Sequence, residues 1–232
     1  MQSIIPKKLL FLDIIAGILI VCALGMVFFY APIETNMGLV QKVFYFHMAY
    51  AWIGMLSFLV ATVFSILYLV KANSNFDLAS ESAVEIGLVF TLIAIASGSI
   101  WAKPIWNTWW TWDPRLTTTT IMALIYAGSI FLRQSLDNPE KKGRLLAIYC
   151  IIGCASVPLT FFSIRGYRSI HPVIIGGSGE GMNMTPEMIQ TMIFSVAAVT
   201  VFYLALLGHR YLYAKLREEI ETAKLDLEDV NE

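Results

Sequence analysis

The sequence predicts an all-α integral membrane protein of six transmembrane helices, with the N-terminus and the C-terminus both cytoplasmic. Three observations carry that prediction. Of 232 residues, 57% are hydrophobic and 14% charged, against about 45–50% and about 25% in a soluble domain, and the mean hydropathy is +0.68. Six segments, at about 9–30, 43–70, 82–101, 117–135, 144–163 and 189–209, are apolar over the roughly 20 residues that a spanning helix needs. The cations are also unevenly divided. Lys7, Lys8, Lys71, Arg133, Lys141, Lys142, Arg144, Arg210, Lys215, Arg217 and Lys224 fall on one side, and only Lys42, Lys103, Arg115, Arg165 and Arg168 on the other. The positive-inside rule makes the richer side cytoplasmic.

Span 1 follows MQSIIPKK and lacks a small-residue cleavage site, so it reads as a retained helix and not a leader. Span 2 carries His47 about one turn inside its outer end, in KVFYFHMAYAW. Between spans 3 and 4, a tryptophan-rich segment at 102–116 forms the second outer loop. It ends in WDPRLTTTT, where Asp113 is a good N-cap and Pro114 a good first helical residue for span 4. Span 5 has Cys150 and Cys154 on one face, which packing explains. Span 6 ends at His209, where a cation suits a helix C-terminus. Asp13 and Glu85 lie within about two turns of the cytoplasmic end, placed to snorkel or to pair across helices. The tail 211–232 is charged and helix-prone, and no hydrophilic block is long enough for a second domain. A net charge of −1 without a basic stripe argues against nucleic acid as a partner. Three cysteines without C-x-x-C or C-x-x-C-H indicate neither a thiol redox motif nor a c-type cytochrome.

The distinctive chemistry gathers on the outer side. Trp101, Trp106, Trp109, Trp110 and Trp112 are five of the six tryptophans, within twelve positions. An aromatic belt at headgroup level accounts for one or two per helix end. Five in one loop suit a flat apolar shelf for a planar aromatic ligand, a porphyrin or a quinone, and a short interfacial helix in the membrane plane fits their spacing. His171 lies in the third outer loop. Pro172 biases it to extended backbone, and the glycines of 176–181 supply slack to fold back over the surface. His47 and His171 on one leaflet, with no cysteine or carboxylate cluster beside them, suit a pair of axial ligands to haem iron. Zinc wants three or four ligands. Arg115, beside the shelf, has the planar donors that pair with propionates. Lys42 is a second candidate cation, and headgroup phosphate is the alternative partner for each.

WAKPIWNTWWTWDPRLT resembles the WWD signature of the haem-handling membrane proteins of cytochrome c biogenesis. Six spans, about 230 residues and a histidine on each side of the motif resemble the cytochrome c maturation protein C (haem exporter protein C) family within it. The departures are Ala102 and Asn107, where the motif commonly has glycine, and Pro172 after the second histidine. The resemblance implies a six-helix haem-handling domain over 1–210, with the motif at 101–117, in the bacterial inner membrane. It implies haem b bound as cargo on the periplasmic side by axial His47 and His171, over a platform of Trp101, Trp106, Trp109, Trp110, Trp112 and Asp113, with Arg115 matching the family's arginine. The implied partners are a periplasmic haem chaperone, ATP-binding-cassette subunits, a small single-span subunit and membrane lipid. The implied role is delivery, not enzymatic catalysis beyond promoting haem attachment to the chaperone. A polytopic secondary transporter and a b-type haem electron-transfer subunit are the alternatives. The first wants midplane polar residues and repeats, the second histidine pairs on facing spans.

Overall fold

The structure, a computed structural model, describes residues 5–166, 168–171 and 184–231. Its regular elements are helices: α1 (Lys7–Gly25), continued by a π-helical turn at Met26–Tyr30, α2 (Gln41–Lys71), α3 (Ser74–Trp106), α4 (Pro114–Gln134), α5 (Pro139–Gly153), α6 (Ser156–Gly166) and α7 (Pro186–Asn231). Six stretches are long and apolar enough to cross a membrane: Lys7–Tyr30, Gln41–Lys71, Ser74–Trp106, Pro114–Gln134, Lys141–Gly166 and Pro186–Glu228.

Local chemistry starts three of them. Asn73, Asp113 and Asn138 each accept a backbone N–H of the first turn, and Pro114 and Pro139 follow the last two. Each such cap contributes about 1 kcal/mol. The α2–α3 connection turns at Ala72, in left-handed backbone at φ 49°, and the two helices then pack along their whole length as the centre of the bundle. In lipid, close packing holds helices together instead of the hydrophobic effect. Here the Phe58 ring stacks flat on Tyr126 at 3.6 Å between centroids. Gly87 makes room for it, since a Cβ there would stand 2.7 Å from the Phe58 ring. Buried Ala61, Ala83 and Cys150 complete that cluster, so the packing role expected of Cys150 is the one observed. α1 and α7 flank the central pair from one side.

Four expectations are corrected. α3 runs to Trp106, so the loop between spans 3 and 4 is 107–113 and not 102–116, and it contains no interfacial helix of its own. Helical bonding persists through Trp101–Trp106 and stops at Asn107, in left-handed backbone at φ 53°, where Lys103 Nζ caps the chain at Asn107 O (3.3 Å) and Oδ1 (3.2 Å). Span 5 is two helices, because Pro158 has no N–H to give the carbonyl of Cys154. Val157 N–H takes that carbonyl at 3.0 Å, and the axis breaks at Cys154–Ala155. His209 is not at a helix end, since α7 continues past it, and its Nε2 lies 2.9 and 3.0 Å from the two carboxylate oxygens of Asp13. The tail is that same helix. Tyr211 donates to Asn75 Oδ1 at 3.0 Å and Ala214 is buried before the surface opens from Arg217 onward.

Asp13 therefore pairs across helices, and so does Glu85, through Arg210 Nε and, at 2.7 Å, Arg210 Nη2. With the bidentate Arg133–Asp77 pair at 2.6 and 2.9 Å, these make one end of the bundle an ion-pair end. The tryptophans sit at the other.

Candidate functional site

At the tryptophan end, α2, α3, α4 and α6 enclose a cavity of about 280 Å³, closed over by the loop 107–113 and the segment 168–171. His47, Trp101, Trp106, Trp110, Arg115 and His171 line it. Its floor is Met55, Thr91 and Met122, two turns deeper in the bundle.

His47 is aimed by α3. Its Nδ1 lies 3.0 Å from Ala94 O and 3.3 Å from Ser97 Oγ. A carbonyl only accepts, so the neutral ring carries its proton on Nδ1 and leaves Nε2 with a free lone pair. A backbone carbonyl holding one imidazole nitrogen is the usual way a metal-binding histidine is oriented. Gly98 lets the ring lie flush on α3, since a Cβ there would stand 2.9 Å from His47 Cε1 and 3.3 Å from Nδ1.

His171 is brought in by Asp113. Besides capping α4 through Arg115 N at 2.9 Å, the Asp113 carboxylate accepts from Ser169 Oγ at 2.9 Å and from Ile170 N at 2.8 Å. Ser169 Oγ accepts in turn from His171 N at 3.0 Å. One buried carboxylate thus ties the start of α4 to the strand that bears the second histidine. The His171 ring stands 5.7 Å from Trp106 between centroids. Its Nδ1 is 3.6 Å from Asp113 Oδ1, too far for a hydrogen bond. Burial, then the facing His47, push the His171 imidazole down to about 4. Arg115 adds to this and Asp113 opposes it. Both effects keep the ring neutral at pH 7, the form in which it can ligate a metal.

Arg115 Nη2 donates to Phe161 O on α6 at 3.1 Å, which fixes the guanidinium at the cavity wall. Among the described residues its Nε has no partner, nor have Trp101 Nε1, Thr111 Oγ1, Thr160 Oγ1 and His171 Nδ1, all from cavity-lining residues. Buried polar atoms are rarely left so, and five around one cavity mark a place for a ligand with polar edges.

The expected tryptophans separate into two groups. Trp101 (4% exposed), Trp106 and Trp110 line the cavity, whereas Trp109 (58%) and Trp112 (75%) point outward from it. Trp101 meets Trp106 edge-on at 5.1 Å and 79°, and Trp110 meets Trp112 at 86°. These two pairs are not parts of a flat shelf but meet nearly at right angles, because Trp101 and Trp106 stand on the last turns of α3 while Trp110 and Trp112 stand on the loop that follows it. Lys42 is not brought to the cavity. Its ammonium donates to Phe28 O at 2.9 Å and lies over the Phe28 ring. Pro172 and the glycines of 176–181 lie outside the described residues. Ala94, Ser97, Gly98 and Ser169 escaped the sequence reading. The run ASGSI in span 3 was the available signal, since small residues in a span mark a close approach.

Comparison with known proteins now decides the family. The family model described as "CcmC: Heme exporter protein C" matches residues 2–226. The chain belongs to that family. It is 30% identical to Heme exporter protein C of Bradyrhizobium diazoefficiens, over 81% of this chain and 73% of that one. It is 29% identical to the Rhodobacter capsulatus protein of the same name, over 85% and 80%. With Heme exporter protein C of Escherichia coli K12 the identity is 30%, over 73% and 68%. As the CcmC resemblance of WAKPIWNTWWTWDPRLT implied, membership extends over nearly the whole chain. The cavity is therefore a feature of a CcmC-family bundle, built where that motif meets spans 2 and 5.

Proposed function

We propose that this protein handles haem for export in cytochrome c biogenesis. It binds haem b as cargo at the tryptophan end, facing the periplasm of a bacterial inner membrane, and delivers it to a periplasmic haem chaperone. The observation that carries the reading is the convergence of His47 and His171, which flank the motif on either side in the sequence, on one apolar cavity. Among the described residues no group of three or more His, Cys, Asp or Glu is placed to hold a metal ion, so the imidazoles stand as a pair, the set that a porphyrin's axial positions accept.

The residues fit such a cargo in three ways. His47 is held through Nδ1 and offers Nε2, and His171 is kept neutral by its surroundings. Trp101, Trp106 and Trp110 give the apolar, π-rich walls that a porphyrin face packs against. Arg115, anchored on Phe161 O, keeps Nε–H spare for a carboxylate, and a charge-assisted bond there fixes the rotation of the ring. Trp109 and Trp112 stand exposed on the loop over this cavity, a surface on which a chaperone has access to the cargo's edge. The association with ATP-binding-cassette and single-span subunits implied by the family fits a delivery step whose release is driven from outside this chain. An electron-transfer cytochrome gains no support, since the second histidine within a span, His209, is engaged by Asp13.

The test is the absorption spectrum of the detergent-purified protein. The native chain is expected to show the Soret and α/β bands of low-spin bis-histidine haem, and His47→Ala with His171→Ala to lose them with at least about a tenfold fall in haem content. Unchanged haem content in the double variant refutes the reading.

A further inference from the structure

Three of the residues lining the cavity are exposed: Trp52, Arg165 and Ile170. Arg165 and Ile170 lie at the loop end and mark a mouth there. Trp52 is elsewhere. It follows His47 by five residues, about 7.5 Å further along the α2 axis toward the middle of the span, and is 42% exposed. Trp52 therefore stands between the cavity and the outer flank of the bundle, part-way along an apolar helix.

The break in span 5 thins the packing beside Trp52. Below it, α5 packs along α2, with Cys150 in the Phe58–Tyr126 cluster. Above it, α6 packs along α4, where Phe161 O receives Arg115, and touches α2 only marginally. The divergence leaves a wedge with Met48, Trp52 and Met55 on the α2 side and Phe161 and Ile164 on the α6 side. Trp52 is held there by one polar tie: its Nε1–H donates to Thr200 Oγ1 on α7 at 3.1 Å. Among the described residues α7 contributes nothing to the cavity lining, so releasing that tie frees one lining side chain and leaves the rest of the lining in place. The Thr200 hydroxyl keeps its own bond to Val196 O at 2.7 Å.

We propose that this wedge is a lateral portal through which haem passes between the hydrocarbon of the bilayer and the cavity, with the Trp52 side chain as its door. The proposal rests on the haem reading of the site. The chemistry favours the flank. A porphyrin is a flat apolar ring with its carboxylates at one edge, so it partitions into lipid with that edge toward the surface. A wedge of methionine, tryptophan, phenylalanine and isoleucine admits such a ring edge-on, and adaptable methionine side chains suit a passage that opens and closes. The end mouth is instead crossed by the strand that Asp113 pins at Ser169 and Ile170.

The experiment measures haem capture in nanodiscs. The purified full-length protein is reconstituted apo, mixed with lipid vesicles carrying haem b, and the bis-histidine Soret band is followed in time. Trp52→Ala is expected to speed capture about threefold or more, as removal of a gate does. Thr200→Val, which cuts the tie without altering the cavity, is expected to act in the same direction by a smaller factor. It also serves if Trp52→Ala fails to fold. An unchanged rate in both variants overturns the portal, and so does a lower occupancy or a shifted band in Trp52→Ala, which makes the indole a wall of the site. Absence of any Soret band in the native protein overturns the haem reading itself and is distinguishable from either.

Discussion

The two ends of the bundle treat most of their polar groups in opposite ways, Arg210 Nη1 being a buried atom without a partner at the ion-pair end. At one, Arg133 takes both oxygens of Asp77, Arg210 both oxygens of Glu85, and His209 the carboxylate of Asp13. Each pair joins two different helices, so the charges pin the bundle. At the other end, Arg115 Nε, His171 Nδ1, Trp101 Nε1 and two threonine hydroxyls have no partner among the described residues, and they surround a cavity. Polar atoms that satisfy one another stabilise a fold. Polar atoms kept unsatisfied at a fold's expense are set aside for something that arrives later.

Four substitutions test that contrast through haem affinity, measured by titration of the Soret band. Gly98→Ala has the largest expected effect. The added methyl must push His47 off Ala94 O, and losing the orientation of a ligand costs on the order of 10–100-fold. An unchanged affinity means that His47 is not a ligand. Asp113→Asn comes next, at about tenfold, because an NH2 group replaces one of the two oxygens that accept from Ser169 Oγ and Ile170 N–H, and the His171 segment loses one of its ties. Retention of native affinity there means that the strand is held by other contacts.

Asp77→Ala is expected to leave the spectrum and the affinity unchanged while lowering unfolding stability by roughly 2 kcal/mol, since Arg133 loses its bidentate partner and keeps only Glu81, at 3.4 Å, at the ion-pair end. Thermal unfolding in detergent, read beside the Soret titration, checks both halves. A change in haem affinity without a change in stability breaks the division between the two ends. Lys42→Ala has the smallest expected effect, within about twofold, because its ammonium is engaged at Phe28 O and away from the cavity. A larger loss shows that Lys42 leaves that carbonyl when haem binds.

Much of this was legible along the chain. Six apolar runs, the cap at Asp113-Pro114 and the cross-helix pairing of Asp13 and Glu85 all follow from local composition, since each depends on residues near in sequence or on the cost of a charge in lipid. The errors came where distant contacts overrule that logic. His209 was read as a helix-end cation because the apolar run stops there, yet α7 continues through the charged tail, whose residues are good helix formers. The tryptophans read as one shelf because spacing in sequence does not reveal ring planes, which are set by α3 ending at Asn107 and α4 starting at Asp113. Lys42 was assigned by proximity to His47 in sequence, while on the helix it turns toward α1.

By itself, the sequence determined that this chain has six segments long and apolar enough to cross a membrane, that five of its tryptophans and two of its histidines share one end, and that it resembles the CcmC family to which it belongs. Hydrophobic length, charge bias and motif are properties of the linear chain and survive without coordinates. Only the tertiary structure decided which tryptophans face a ligand, which nitrogen of His47 is free, and that the break at Cys154–Ala155 swings α6 from α2 to α4 and opens a cavity between them. Those features depend on how helices from distant parts of the chain approach one another. Side-chain volumes such as that of Gly98, the bond that Pro158 cannot make and the many acceptor sites of Asp113 settle that approach only when all the helices are in place.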